Sequence, residues 1–356
     1  MKKIWRYKRL FEILPGLLAW FLLITPFILS IITPNILAIG LLVYVTYWLV
    51  RTFFMSSRLI WGYNKYRKDI TIDWLDLLKK EFIQDKWREI LHVVIVPTYK
   101  EDIKILYSSL ESVANSNYPL DRIIYVLATE ERDKEHAVEI ANQLSNKYSG
   151  KLLDIISVMH PKDIPNEIVG KGPNITFAGK YIEKYLIEKN IDSSKVIVTT
   201  MDSDNIMDKQ YLPCLTYKYL SDDDPLHKSF QPIPMFFNNI WDVPMPMRSI
   251  AMGSSFWQLI VSTRPSRLRN FSAHAQTLQA LQEVDFWSKD TIVEDGHQYW
   301  RSYYKFEGNH QVVPLFTPIY QDAVLAGTVK DTMKEQYLQK KRWSWGVSDI
   351  PYVMEN

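Results

Sequence analysis

From residue 91 onward the chain alternates short apolar runs with amphipathic stretches, and this alternation restricts the fold more than any other feature. Residues 92–97, 122–128, 152–159 and 195–201 are rich in Val, Ile and Leu and have the length of strands. Between them, 103–115, 134–148 and 174–188 carry helical periodicity. Near-continuous apolar strands are those buried on both faces, so the pattern predicts an α/β domain with a mostly parallel sheet flanked by helices. Ligands bind such sheets beyond the carboxyl ends of the strands, where chemistry-bearing residues are to be sought.

The segment before this domain has a different character. Residues 14–32 are apolar apart from Thr25 and Ser30, and 35–50 are uncharged. Each run approaches the roughly 20 residues that a bilayer requires. Thr33-Pro34-Asn35 is a turn signal between them. Lys2, Lys3, Arg6, Lys8 and Arg9 precede the pair, and Arg51, Arg58, Lys65, Arg67 and Lys68 follow it. Basic residues on both flanks predict a transmembrane hairpin with both ends cytoplasmic. Pro15 and Pro26 are compatible with a membrane helix. The domain plan is a hairpin over 1–55, an amphipathic connector over 56–90 and a cytosolic catalytic domain over 91–345. In the connector, 73–89 reads as an amphipathic helix lying on the membrane or packed on the domain.

The 356 residues carry a formal net charge of +2, which argues against nucleic acid as a partner. Cys214 is the only cysteine, so an internal disulfide is impossible and a cysteine-based metal site is disfavoured. No Gly-x-x-x-x-Gly-Lys-Ser/Thr loop is present, which disfavours a P-loop kinase or ATPase.

Four groups of residues carry candidate chemistry. The first strand runs into Pro97-Thr98-Tyr99-Lys100-Glu101. The fourth ends in Asp202-Ser203-Asp204, two carboxylates at i, i+2 that suit a hard cation together with substrate phosphates, or a turn in which Asp caps backbone N–H groups. Glu294-Asp295 follows some 90 residues later, as a general base or as an N-cap before a helix that starts near Gly296. Gln339-Lys340-Lys341-Arg342-Trp343 combines a guanidinium fork, suited to a pyrophosphate, with an aromatic face suited to a sugar, or forms the solvated face of a helix with one buried aromatic. Residues 230–250, rich in Pro, Met and aromatics, form either a surface for lipid or acceptor or a core-packed irregular segment. Arg264, Arg267 and Arg269 meet lipid phosphates or sit in a solvated loop. His297 and His310 lack partners at metal-ligand spacing and read as structural.

Taken in order, Pro97-Thr98-Tyr99, Asp202-Ser203-Asp204, Glu294-Asp295 and Gln339-Lys340-Lys341-Arg342-Trp343 resemble the markers of family 2 glycosyltransferases. The likeness is to the membrane branch of cellulose synthase-like and hyaluronan synthase-like enzymes, and it covers about residues 91–345. It implies a GT-A fold and an inverting transfer from a nucleotide sugar, UDP-linked by preference, to a glycan or lipid-linked acceptor in the cell membrane. It also implies Mg²⁺ or Mn²⁺ on Asp204, with Asp202 touching metal and nucleotide. By the same resemblance, Asp295 deprotonates the acceptor beside Glu294, and Arg342 binds the pyrophosphate. Trp343 and Gln339 hold the acceptor. Lys171, in Lys171-Gly172-Pro173-Asn174, is similar to a nucleotide-contacting lysine, and Gly253-Ser254-Ser255 to a small-residue loop lining the acceptor site. The donor site then draws on Pro97, Thr98, Tyr99, Glu101 and Glu130.

Two positions depart from the pattern. Glu130 and Glu131 stand where the family carries Asp, and Val293 stands where it carries Thr. In that branch further membrane helices follow the Arg-Trp motif, so 346–356 leads into a membrane region missing from this chain or absent from the protein. A single-addition transferase acting on a lipid-linked acceptor, and a non-catalytic scaffold of a polysaccharide complex, are the competing readings.

Overall fold

The computed structural model describes residues 5–356, apart from the side chains at 5–7 and 83–85. Lys2 and Lys3 of the basic flank therefore lie outside the described residues, as does the side chain of Arg6. In chain order the elements begin with α1 (Trp5–Ile32), α2 (Pro34–Asp69) and α3 (Trp74–Glu81). The alternating region follows as β1 (Leu91–Pro97), α4 (Ile103–Ala114), β2 (Ile123–Glu130), α5 (Lys134–Tyr148), β3 (Asp154–His160), α6 (Lys171–Glu188) and β4 (Val196–Thr200). The remainder is β5 (Ile206–Met207), α7 (Tyr211–Leu220), β6 (Lys228–Met235), α8 (Met245–Ser262), β7 (His274–Thr277), α9 (Leu278–Glu283), α10 (Glu294–Lys305), β8 (Gln311–Tyr320), α11 (Val329–Trp343) and α12 (Asp349–Glu355).

One eight-stranded sheet forms the centre, in the order β3-β2-β1-β4-β7-β6-β8-β5. β1 to β4 are parallel, as the alternation predicts. Their side chains divide by pleat. Val94, Val96, Tyr125 and Leu127 join one core with α4 and α7, while Val93, Ile95, Ile124 and Val126 join another with α6. The second half of the sheet corrects the expectation of a mostly parallel array. β7 is antiparallel to β4 and β6, and β5 is antiparallel to β8, so the sheet is mixed. β6 and β8 pair in parallel although each carries two prolines, with an irregularity between Pro232 and Ile233. Because β6 meets β7 only at Phe230 and Ala275, the N–H groups its prolines lack are not needed there.

α1 and α2 are each long and apolar enough to cross a membrane, by length and composition. α2 continues past residue 55 to Asp69, so the hairpin and the connector share one helix. The rest of the connector packs on the domain. Asp73 caps α3 by accepting from the Asp76 N–H. Trp74 and Leu78 are buried, and the Trp74 ring lies 5.3 Å from that of Tyr217 on α7.

Residues 230–250 divide between the two readings. Met235 and Phe236 are buried, whereas Trp241 and Met245 are 79% and 77% exposed. Residues 344–348 form a 3-10 turn leading into α12, which folds back on α10 through Asp349 to His297 (2.7 Å) and the Tyr304 hydroxyl to the Val353 carbonyl (2.9 Å).

Candidate active site

The carboxyl ends of β1, β2 and β4 open onto one rim. β7 begins at this rim and β8 ends there, because antiparallel neighbours reverse direction. α6 and α10 start beside it.

Lys171, the first residue of α6, is the central cation. Its Nζ lies 2.7 Å from Asp202 Oδ1 and 3.6 Å from Glu294 Oε1, and donates to the Ser272 carbonyl at 3.2 Å. Burial acts to lower its pKa, but the carboxylates of Asp202 and Glu294 outweigh burial and raise it above the ordinary lysine value. Gly172 makes the close packing possible: a Cβ there would lie 2.3 Å from the Ser288 carbonyl oxygen and 3.2 Å from Glu294 Cβ.

Ser272 joins the two acidic motifs. Its Oγ donates to Asp202 Oδ2 (2.6 Å), and its N–H donates to Asp295 Oδ2 (2.7 Å). Gln321, just past β8, donates from Nε2 to Ser272 Oγ (2.5 Å). His274 sits below with its Nε2 facing the Trp287 indole N–H at 3.0 Å. An indole N–H only donates, so His274 Nε2 accepts, the proton is on Nδ1, and Nδ1 points at the Ser272 carbonyl at 3.3 Å. Burial pushes the His274 pKa down to about 3, which keeps this tautomer neutral.

The carboxylates have unequal environments. Burial would raise the pKa of Asp202, but Lys171, Ser272 and the more distant charge of Arg342 together hold it below the ordinary value. Asp204 is pushed up to about 7, first by burial and then by the negative charges of Asp202 and Asp322. The Asp322 N–H donates to Asp204 Oδ2 (3.2 Å). Glu294 is also raised to about 7 by burial, which exceeds the opposing pull of Lys171. Its side chain is turned inward to Lys171. Asp295 is half-buried and accepts from the Ser272 and Gly296 N–H groups. Burial likewise raises Glu101, in the loop between β1 and α4.

At the β1–β2 end, the Thr98 N–H donates to the Ala128 carbonyl (2.9 Å), and the Arg132 guanidinium lies over the Tyr99 ring at 4.6 Å. Arg132 also pairs with Glu130. Pro97, Thr98, Tyr99 and Glu130 thus line one corner, with Glu101 near Asp202. At the other side, α11 ends in the Arg-Trp motif. Arg342 is exposed and makes no hydrogen bond or ion pair among the described residues. The Trp343 ring packs edge-on to Phe271 (5.6 Å) and tilted to Phe236 (6.5 Å), with Lys340 Nζ 3.9 Å from its centre. A small crevice lined by Phe236, Ser254, Asp322, Gln339 and Trp343 adjoins Asp204 through Asp322.

Two sequence expectations are corrected. Gly253-Ser254-Ser255 is not a loop but lies inside α8, where Ser254 Oγ bonds the Ile250 carbonyl (2.9 Å) and Ser255 Oγ the Ala251 carbonyl (3.2 Å). Only Ser254 of the expected pair reaches the crevice; Gly253 is exposed with open space around it. Ser272, His274, Gln321 and Asp322 were not anticipated. Gln321-Asp322 had a usable signal, a polar pair directly after an apolar run, as at Asp202. Ser272 had none.

The acidic groups suit a hard cation. Among the described residues no three His, Cys, Asp or Glu side chains converge as a ready cage. Asp204 has a charge problem that a cation relieves: a half-buried, partly desolvated carboxylate near those of Asp202 and Asp322, pushed up to about 7. One or two carboxylates, with water and substrate phosphates completing the shell, is the usual manner of Mg²⁺ binding.

No family model matches the chain, and no curated protein matches it. Among solved structures, it is similar to a mannosyltransferase from Pyrobaculum calidifontis in complex with GDP-Man and Mn²⁺. That match has 13% identity and a TM-score of 0.47, over 78% of this chain and 71% of that one. It is also similar to residues 1–349 of S. aureus TarS in complex with UDP-GlcNAc, with 15% identity and a TM-score of 0.41, over 68% and 61%. A third likeness is to GalNAc-T7 with UDP, GalNAc and Mn²⁺, with 11% identity and a TM-score of 0.45, over 67% and 44%. The chain thus spans less than two thirds of the latter two. At this level of similarity no residue role or substrate passes from them to this chain.

Proposed function

We propose that this chain is a membrane-anchored, metal-assisted glycosyltransferase that moves a sugar from a nucleotide-sugar donor to a hydroxyl acceptor with inversion. The observation that carries the reading is the bridge Asp202–Ser272–Asp295, with Lys171 beneath it and the unpaired Arg342 near enough to bear on Asp202. The bridge unites the Asp-x-Asp end of β4 with the Glu-Asp start of α10, a juxtaposition that a turn cap or a helix cap alone does not call for.

In this reading Asp204 and Asp202 would hold a divalent cation, Mg²⁺ or Mn²⁺, which would supply charge neutralisation for a nucleoside diphosphate leaving group. Arg342 meets the same diphosphate by charge-assisted hydrogen bonds. The corner of Pro97, Thr98, Tyr99, Glu101 and Glu130 receives the nucleoside. Asp295 takes the proton of the acceptor hydroxyl as that oxygen attacks the anomeric carbon, and the bond to the diphosphate breaks on the opposite face. Ser272 and Gly296 orient Asp295 by their N–H groups. Glu294 acts through Lys171, as a buried counter-charge that keeps the ammonium against Asp202. Trp343, Gln339 and Ser254 line the acceptor side, and Gly253 has no part in it.

The hairpin of α1 and α2 supplies the anchor. The basic residues after the second run argue for a cytoplasmic catalytic domain, over about 91–345. A glycan acceptor is favoured by the aromatic lining at Trp343, Phe236 and Phe271.

Purified protein in detergent, offered UDP- and GDP-sugars with Mg²⁺ or Mn²⁺, is expected to release nucleotide from at least one donor. Release from none would overturn the reading. Asp295→Asn is expected to lower turnover about 100- to 10,000-fold, the range spanned by general-base catalysis. Unchanged turnover would remove Asp295 as the base.

A further inference from the structure

α8 packs across α2 at a point where only a glycine fits. A Cβ on Gly62 would lie 2.8 Å from the Leu259 carbonyl oxygen and 3.1 Å from Thr263 Cγ2. Arg264 follows Thr263 directly, and Arg267 closes the 3-10 turn after it. On α2, Arg51, Arg58 and Gly62 share one face, being 7 and 4 residues apart at about 3.6 residues per turn. The same stripe, through Met55 and Leu59, is the more sheltered side of the helix. Arg58, about one turn from Gly62, and Arg264 and Arg267 just past α8 thus gather around one helix crossing, with Arg51 two turns further along the same face of α2. Their nearness is reflected in Arg264, whose pKa is lowered by partial loss of water and then by repulsion from Arg267, Arg58 and Arg51.

Among the described residues none of the four has an acidic partner within ion-pair distance. Arg51 donates to the Tyr47 hydroxyl (2.8 Å) with its Cζ 4.9 Å from the centre of the Trp48 ring, and Arg269 leaves the group for Tyr299, with its Cζ 3.8 Å from the ring centre. Beside the cluster α8 exposes an apolar stripe. Met245, Met252, Phe256 and Trp257 all face solvent, opposite the buried Met247, Ala251, Ser255 and Leu259. An apolar helix face next to uncompensated guanidiniums, continuous with a bilayer-length helix, has the composition of an interfacial lipid site.

We propose that Arg51, Arg58, Arg264 and Arg267 form a binding site for the phosphate of anionic phospholipids, with the exposed face of α8 set against the acyl chains. The site rests on the membrane reading proposed above. It adds to it a lipid class and a fixed contact that ties the catalytic domain to the bilayer. Guanidinium forks match a phosphodiester in geometry as well as charge, which distinguishes the site from a diffuse basic flank. The binding of one phosphate relieves the mutual repulsion at Arg264.

The test uses the full chain in detergent, with lipid retention read by native mass spectrometry against phosphatidylglycerol and phosphatidylcholine. Phosphatidylglycerol is expected to be retained in preference. Arg264→Gln with Arg267→Gln is expected to weaken its binding about 25-fold, about fivefold for each charge removed. Arg264→Lys with Arg267→Lys, which keeps the charge, controls for folding and is expected to bind more tightly than the Gln pair. Removing two charges elsewhere, by Lys147→Gln on α5 with Lys151→Gln in the turn after it, is expected to change nothing. Equal retention of the two lipids, equal loss in the α5 variant, or displacement by inorganic phosphate as readily as by the lipid would each overturn the site. Membrane insertion is read separately, by resistance of the wild-type chain to carbonate extraction. Extraction with lipid preference intact would remove the anchor and leave the arginine site standing.

Discussion

Ser272 holds a left-handed backbone, φ 44°, which costs a non-glycine residue on the order of 1–3 kcal/mol. A glycine would sit there without strain, yet the hydroxyl is what connects Gln321 to Asp202. Ser272→Gly should therefore raise the thermal midpoint above that of Ser272→Ala, because only the glycine relieves the backbone. Both are expected to lower donor turnover about 10- to 100-fold, the loss of a hydrogen bond to a charged group. Full activity in either would reduce Ser272 to a packing residue. Asp204 yields a second prediction at this scale. Since its pKa stands near 7, a cation that binds it displaces a proton below that pH and none well above it. Metal affinity should rise with pH and level off beyond about 7. Calorimetry in two buffers of different ionisation heat checks this, and a pH-independent affinity would remove Asp204 as a ligand.

At the scale of elements, the crossing of α2 and α8 depends on Gly62. Gly62→Ala forces a backbone carbonyl to move, and overpacking of this kind costs about 1–3 kcal/mol. Gly40→Ala, on the same helix with nothing within 4 Å, should be neutral or slightly stabilising. Equal melting temperatures for the two variants would mean that α8 yields freely. The elements also explain which parts of the fold were legible. β1 to β4 declare themselves by apolar content, because strands buried on both faces can carry little else. β6 and β8 do not, since Pro232, Pro234, Pro314 and Pro318 argue locally against strands. β7, reading His-Ala-Gln-Thr, has no apolar run, although all four residues are buried. Its His274 and Gln276 find partners from α10 and the 284–293 region, which no local pattern announces.

For the molecule as a whole, buried titratable groups set the response to acid. His92, His274 and His310 are each pushed down to about 3 by burial. Unfolded histidine takes up a proton near 6.5, so the unfolded chain binds more protons between 6.5 and 3. The stability these residues contribute is full above 6.5 and is lost as pH falls through that window. Asp204 and Glu294 act oppositely, because their raised values make the folded state the better proton acceptor from about 7 down to their ordinary values of 3.8 and 4.5. The two carboxylates offset two of the three histidines at mildly acidic pH, and below about 4 the histidines dominate. Stability from chemical unfolding should therefore fall with a slope of about one proton between pH 6.5 and 4.5 and more steeply below that. His92→Leu should make the acid limb shallower by about one proton. An unchanged slope would mean that His92 titrates normally.

The sequence by itself determined the elements whose character is local: two bilayer-length helices, four apolar strands, and acidic pairs at places where a strand ends or a helix starts. Periodicity and capping act over a few residues, so they can be read along the chain. Tertiary structure decided everything that depends on pairing across distance. It made the sheet mixed by reversing β7 against β4, drew Gly253 into a helix, and set Ser272, 70 residues from Asp202, between the two acidic motifs. A serine in an unremarkable stretch has no local signature for that position. Its role arises from where β7 begins, and that placement lets the buried His274 and Gln276 of β7 find hydrogen-bond partners on Trp287 and α10.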